Sequence, residues 1–513
     1  MTSLWASSAF LLPQGSSEIL GRTKNTPLVV DLLTSPLMRR EPKTRFLRPY
    51  QFSETYLKLL SEHLYMAQII FLPPVVLSKC LNALEAKDFP FLHRVKLVSG
   101  TDHPLQITLG KTPLLSHLSM HNCVVSCDYS TIISLHMHFE HRLNIHGIIN
   151  PIRLATNLRS LTLVGHRLSY VSTSAHISLP HLKDLHLDAP SDFCASLWDI
   201  LTIAPGARMT IHIDSRLLRA LRLPESHLAE AAVQRKVDFM GTVAHHYDQV
   251  NAPRIGGIRL ECSITRIVLF RQDLCDDTRK LRSTPYHDND IALDVHMAQM
   301  DILPNTSLPA PLALAEQIAR HVPLSYPITL ELFKPGRYST AHWRQSLIHL
   351  DTVHILLLDE FPPLEELWDA VCPSISISTT GREVIPVLPR LQVVHIALQS
   401  FQWFDIRPVI SGGDWDRWSY GSGDAVYNLP VGSARAVGVG QLDADASSLR
   451  PAPWASFLAG LKRRSDQGYG IQKVVLGPFR GYTTSETFSQ LREDLSAVVP
   501  EVVEIPQASA IAY

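Results

Sequence analysis

The chain has 513 residues, enough for one large core or several domains. Hydrophobic residues make up 45% and charged residues 19%, which excludes a disordered chain. The net charge of -1 offers no excess of positive charge to bring it onto nucleic acid or an anionic membrane, so neither is expected as a partner.

The first residues are mildly apolar (Leu4, Trp5, Ala9 to Leu12) but lack a basic start and are broken by Pro13, which argues against a signal peptide. No run approaches the ~18 apolar residues of a membrane helix. Residues 26–32 read as a strand. Ser53 to Met66 carries Tyr56, Leu57, Leu60 and Leu64 at helical spacing. Ala67 to Leu72 is a strand stopped by Pro73-Pro74, Val76 to Ala86 a helix, and Phe91 to Leu97 the next strand. Phe193 to Ile203 reads as a helix and Ala207 to Ile213 as a strand.

The pattern then blurs between 214 and 325. Arg216 to Tyr247 is helical in part, Gly257 to Leu260 and Thr265 to Phe270 are strands, and Asp276 to Asp290 and Asp301 to Pro311 are loops. Strands return at Pro327 to Leu332, Thr352 to Leu358 and Leu388 to Leu398. Ser411 to Pro453 is poor in apolar residues and reads as a flexible loop. The chain closes with a helix (Trp454 to Arg464), a strand (Ile471 to Leu476) and a helix (Ser485 to Val498). The basic cluster Lys462-Arg463-Arg464 is expected on a solvated helix face.

Within this grammar one phrase recurs. Leu179-Pro180-His181-Leu182-Lys183-Asp184-Leu185-His186-Leu187 reads L-P-x-L-x-x-L-x-L. Pro90 to Leu97, Thr112 to Cys123, Asn157 to Leu163 and Leu388 to Ile396 repeat it, and Ile132 to Met137 is a weaker copy. The anchors Leu92, Leu115, Ile132, Leu158 and Leu182 follow one another at 23, 17, 26 and 24 residues. A leucine-rich repeat has a period of ~20–29 residues, and only the second interval falls outside it. The expected fold is α/β, an irregular leucine-rich solenoid with a parallel sheet on the concave face and helices outside. Its units are 1–50 with the first strand, 51–400 as the degenerate solenoid, 401–453 as a flexible loop region, and 454–513 as a closing helix-strand-helix unit.

In L-x-x-L-x-L the last two leucines are two apart and share one side of a strand, so the residues between them share the other. This places Arg94, Lys96, His117, Ser119, Ser134, His136, Ser160, Thr162, Asp184 and His186 on the exposed face, as candidate partner-binding residues. The Asn122-Cys123 tail marks a place where such a repeat turns, with Asn122 paired to backbone groups.

Catalytic and metal signals are weak. His117, His121, Cys123, Cys127, His136, His138, His141 and His146 crowd one region. Cys123 and Cys127 are the nearest approach to a zinc pair, yet Cys123 stands where the repeat needs a small buried side chain. Neither a metal nor a cofactor is expected. Histidines on the strand face would make the surface pH-sensitive near pH 6–7. No phosphate-loop, nucleophile-elbow or H-E-x-x-H motif occurs, and Gly438-Val439-Gly440 lacks the rest of a dinucleotide fingerprint. No catalytic set is found. A hydrolase-like enzyme, working through loops 276–301 or 411–445 with His287, Asp288 and Asp290, is the remaining catalytic alternative. The 7 cysteines, an odd number, form no disulfide framework and fit a reducing compartment, cytoplasmic or nuclear.

Three phrases in order carry a resemblance: Leu4-Trp5; Glu18-Ile19-Leu20-Gly21-Arg22-Thr23-Lys24-Asn25-Thr26-Pro27-Leu28-Val29-Val30-Asp31-Leu32; and Leu59-Leu60-Ser61-Glu62-His63 before Ala67 to Leu72. With the leucine phrases they resemble the F-box and leucine-rich-repeat proteins of mushroom-forming fungi. The match runs to about residue 213 and resumes near 327–400 and 454–500. An F-box opens L-P-x-E-[IL] and nothing similar precedes Leu4, so the chain is expected to begin just after that module. The resemblance implies a non-catalytic protein, the substrate-binding part of a ubiquitin ligase receptor. Its partner is a protein substrate, with a Skp-type adaptor and a cullin only where an F-box lies upstream. A stand-alone leucine-rich scaffold is the alternative.

Overall fold

The last two apolar positions of the repeated phrase enter one sheet and share one of its faces, because alternate residues of a strand face opposite ways. In the computed structural model the described residues are 2–11, 15–23, 25–33, 52–101, 103–141, 146–168, 176–213, 238–249, 251–262, 266–271, 291–297, 310–322, 324–333, 338–358, 365–372, 387–396, 454–477 and 485–504. The strands of the first half are β1 (Leu28–Asp31), β2 (Ala67–Leu72), β3 (Arg94–Val98), β4 (Leu105–Thr108), β5 (His117–His121), β6 (Cys123–Ser126), β7 (Ser134–His138), β8 (Ser160–Val164), β9 (Ile177–Leu179), β10 (Asp184–Ala189), β11 (Leu201–Ile203) and β12 (Arg208–Ile213). Those of the second half are β13 (Ile255–Glu261), β14 (Arg266–Arg271), β15 (Ile291–Met297), β16 (Leu324–Phe333), β17 (Val353–Leu358), β18 (Val393–Ile396), β19 (Lys473–Leu476) and β20 (Glu501–Glu504).

Among the described residues, 16 strands form one sheet in the order β1-β2-β3-β5-β7-β8-β10-β12-β15-β14-β13-β16-β17-β18-β19-β20. Every pairing from β1 to β12 is parallel. Parallel neighbours need a crossover, and helices such as Pro74–Ala86 and Ser191–Ile200 lie in those connections. Two short parallel ladders, β4 with β6 and β9 with β11, stand apart from the main sheet.

One face of the sheet is apolar and buried. Val95, Leu118, Leu135, Leu161, Leu185 and Met209 form one inward row, and Leu97, Met120, Met137, Leu163, Leu187 and Ile211 the next. Leu60, Leu77, Cys80, Phe193, Leu197 and Trp343 from the helices join the same core. So do Ala6, Ala9, Phe10 and Ile19 near the N-terminus. Tyr56 is fastened there, its hydroxyl donating to the Phe10 carbonyl at 2.9 Å.

Local chemistry sets the helix starts. The Ser53 side chain accepts from the Tyr56 N–H at 3.2 Å at the head of Glu54–His63. Pro74 opens Pro74–Ala86, where the first turn needs no donor and the ring presets φ. The Asn122 backbone is left-handed, φ 52°, and turns the chain from β5 into β6. Its side-chain oxygen accepts from the Glu140 N–H at 2.8 Å, and its own N–H donates to the His138 carbonyl at 2.8 Å.

Four sequence expectations are corrected. The sheet is not parallel throughout: β14 runs antiparallel to both β13 and β15, since a short connection joins β13 to β14. The helix expected to reach Ile203 ends at Ile200, and the β-branched Thr202 and Ile203 continue as β11. The loop expected over 276–301 holds a strand, β15, whose apolar pattern Asp294 interrupts, and a further strand, β20, has Glu at both ends. Arg464, expected in solvent, is 0% exposed. The loop regions 276–290, 401–453 and most of 301–311, with His287, Asp288, Asp290 and Gly438 to Gly440, lie outside the described residues.

Candidate functional site: the polar face of the sheet

The residues alternating with the core leucines form straight rows across the opposite face, because the parallel strands are in register without a shift from β3 to β12. Arg94, His117, Ser134, Ser160, Asp184 and Arg208 are successive Cα partners in the first row. Lys96, Ser119, His136, Thr162, His186 and Thr210 make the second, which Asp294 of β15 continues. All ten residues singled out by alternation therefore share two adjacent rows. Arg94 and Lys96 are exposed and the other eight are half-buried.

A third row runs alongside: Val98, His121, His138, Val164, Asp188, His212 and His296. Stopping at the second leucine of each phrase hides this row, although the same period of two, carried one step further, reaches it.

Ion pairs brace the face. Arg208 meets Asp184 across the β10–β12 step at 2.9 Å. Arg266 grips Asp294 with two bonds of 2.9 and 2.7 Å, and Arg259 holds Glu331 with two of 2.8 and 3.1 Å. Bidentate geometry makes the latter two the firmer pairs.

The histidines fall into two groups. The rings of His121 and His138 stack at 4.1 Å with an interplanar angle of 11°, and His121 Nε2 lies 3.3 Å from Glu140 Oε1. Farther along, His186 and His212 meet edge to face at 5.1 Å, and His212 meets His296 the same way at 5.4 Å. Asp188 lies beside them, with His166 Nδ1 at 3.9 Å from its carboxylate. Each of the sets His121, His138, Glu140 and His186, Asp188, His212 has its potential ligand atoms within 4.8 Å of one another.

Burial disfavours the charged form of several rings on this face. His138 is pushed down to about 4, first by desolvation and then by the neighbouring His121. His136 and His186 are lowered chiefly by burial too, Lys96 adding to the first and His212 to the second. His117 is lowered in the same way, with Arg94 contributing. The titration expected near pH 6–7 is therefore shifted to lower pH for these four, because a half-buried row disfavours the charged ring.

Cys123 and Cys127 take no part. Burial pushes both thiols up to about 12, and Cys123 Sγ points at the Leu97 carbonyl, 3.5 Å away. Among the described residues no helix is long and apolar enough to cross a membrane. No protein-family model matches this sequence, and no curated protein matches it either.

Proposed function

We propose that the polar face of the sheet is a protein-recognition surface carried on a leucine-rich-repeat-type solenoid. The observation that carries this reading is the register: ten polar side chains from five consecutive parallel strands (β3, β5, β7, β8 and β10) stand in two straight rows. A fixed lattice of donors, acceptors and charges over a rigid core loses little entropy on docking, which favours non-catalytic binding of a protein surface. The resemblance in the leucine phrases makes the substrate-binding part of an F-box-type ubiquitin ligase receptor, in the cytoplasm or nucleus, the preferred setting.

Charge reversal tests the surface. The variant Arg94→Glu, Lys96→Glu, Asp184→Lys should lose at least tenfold in capture of its partner in cell extracts, with the thermal midpoint nearly unchanged, since exposed pairs contribute only about 0–1 kcal/mol. Equal recovery of every co-purifying protein by both forms would mean that this face is not the recognition surface. Sequencing the transcript upstream of Met1 tests the setting. An in-frame F-box supports a ligase receptor, whereas a stop codon without one favours a stand-alone scaffold.

A further inference from the structure

We propose that His186, Asp188 and His212 bind a divalent transition-metal ion of the zinc class on the polar face of the sheet. This site stands independently of the recognition reading.

The placement comes from strand geometry. His186 and Asp188 are two apart on β10 and share the outward face, and Asp188 faces His212 on β12 as its Cα partner. Two imidazoles and a carboxylate thus stand at three corners of one cell of the sheet. Their ligand atoms lie within 4.8 Å of one another. An ion about 2.0–2.2 Å from each would need them roughly 3–4 Å apart, a change within reach of small side-chain rotations. The rings meet at an interplanar angle of 75°, so their in-plane lone pairs can converge on one point.

The surroundings suit an ion. His166 and His296 flank the three and offer a second shell or a fourth ligand. Arg266 on β14, the Cα partner of His296, is held in a bidentate pair with Asp294. Two imidazoles and one carboxylate match the borderline softness of zinc, cobalt and nickel rather than calcium or magnesium. With three protein ligands, one coordination position stays open towards the outside of the sheet.

The other set, His121, His138 and Glu140, is the weaker candidate. Its rings lie face to face, so their lone pairs run side by side instead of converging. Glu140 is also engaged by Asn122 Nδ2 at 3.4 Å and by His121 at 3.3 Å.

The test uses the full chain without a histidine tag, stripped with a chelator and titrated with Co2+, with Zn2+ as competitor. One equivalent of cobalt should give visible d–d bands of a low-symmetry site that zinc abolishes. His186→Ala, His212→Ala and Asp188→Asn should each weaken binding at least tenfold. His121→Ala should leave it within about twofold. In the wild-type chain, zinc should also shield His186 and His212 from carbethoxylation, read by peptide mass, a measurement that needs no variant to fold. The proposal is overturned if the bands are absent, if all three variants bind as the wild type does, if the loss follows His121 instead, or if zinc leaves the labelling of His186 and His212 unchanged.

Discussion

Arg464 Nη2 donates to the carbonyl of Leu388, 76 residues earlier in the chain. Leu388 has φ 56°, a left-handed backbone that a branched side chain rarely adopts. The same guanidinium donates from Nη1 to the carbonyls of Val371 at 2.9 Å and Val387 at 3.2 Å. Arg464 therefore ties helix Ala455–Asp466 to the end of helix Glu365–Val371 and to the turn that leads into β18. It does so from full burial, where unmet carbonyls would be costly.

Replacing Arg464 by Met should lower stability by about 3–5 kcal/mol, because three buried acceptors lose their donors at roughly 1–3 kcal/mol each, less whatever the site recovers by relaxing. Arg464→Lys should recover little, since one ammonium cannot reproduce the planar fork. Urea midpoints measure both. A Lys variant as stable as the wild type would show that charge alone suffices there.

Gly460 sits against the indole of Trp368. A Cβ at this position would stand 2.1 Å from Trp368 Nε1. Trp368 is buried and donates to the Phe457 carbonyl at 2.9 Å, so it has little room to withdraw. Gly460→Ala should cost about 1–3 kcal/mol and alter the near-ultraviolet circular dichroism. An unchanged spectrum and midpoint would mean that the two helices separate freely.

Asn122 combines a left-handed backbone with a side chain that holds Glu140. Asn122→Gly keeps the backbone conformation and loses the bond to the Glu140 N–H, for about 1 kcal/mol. Asn122→Ala adds the cost of φ 52°, for about 2–3 kcal/mol in all. Chemical denaturation of the pair separates strain from hydrogen bonding, and equal losses would contradict the strain.

His138 and His395 titrate at about 4 in the folded chain, both lowered from 6.5 by burial. Between those values the unfolded chain binds more protons, so stability rises with pH. It is complete above about pH 6.5 and is lost as pH falls towards 4, by up to about 1.4 kcal/mol per pH unit for each histidine. His395 Nε2 is buried and finds no hydrogen-bond partner among the described residues. His395→Leu should therefore raise the urea midpoint at pH 7 and flatten the slope between pH 6.5 and 4.5. A slope equal to that of the wild type would assign the acid sensitivity elsewhere.

The two rows of candidate binding residues were legible because a strand has a period of two: once Leu185 and Leu187 are seen to point inward, Asp184 and His186 must point outward. Other features were hidden for a reason. The ligand set at the sheet face needs Asp188 on β10 and His212 on β12, 24 residues apart in sequence and opposite one another only through the strand register. Arg464 stands beside Lys462 and Arg463, and nothing local distinguishes a guanidinium in solvent from one that collects three buried carbonyls.

By itself, then, the sequence determined the alternation of strands and helices, the inward leucine rows and the identity of the outward side chains. These depend on backbone periodicity, which acts within a few residues. Only the tertiary structure decided which outward side chains became neighbours, that β14 reverses direction inside an otherwise parallel sheet, and that Arg464 is interior. Those outcomes depend on register and on packing between segments far apart in the chain, where burial and electrostatics act on whatever the fold brings within a few ångströms.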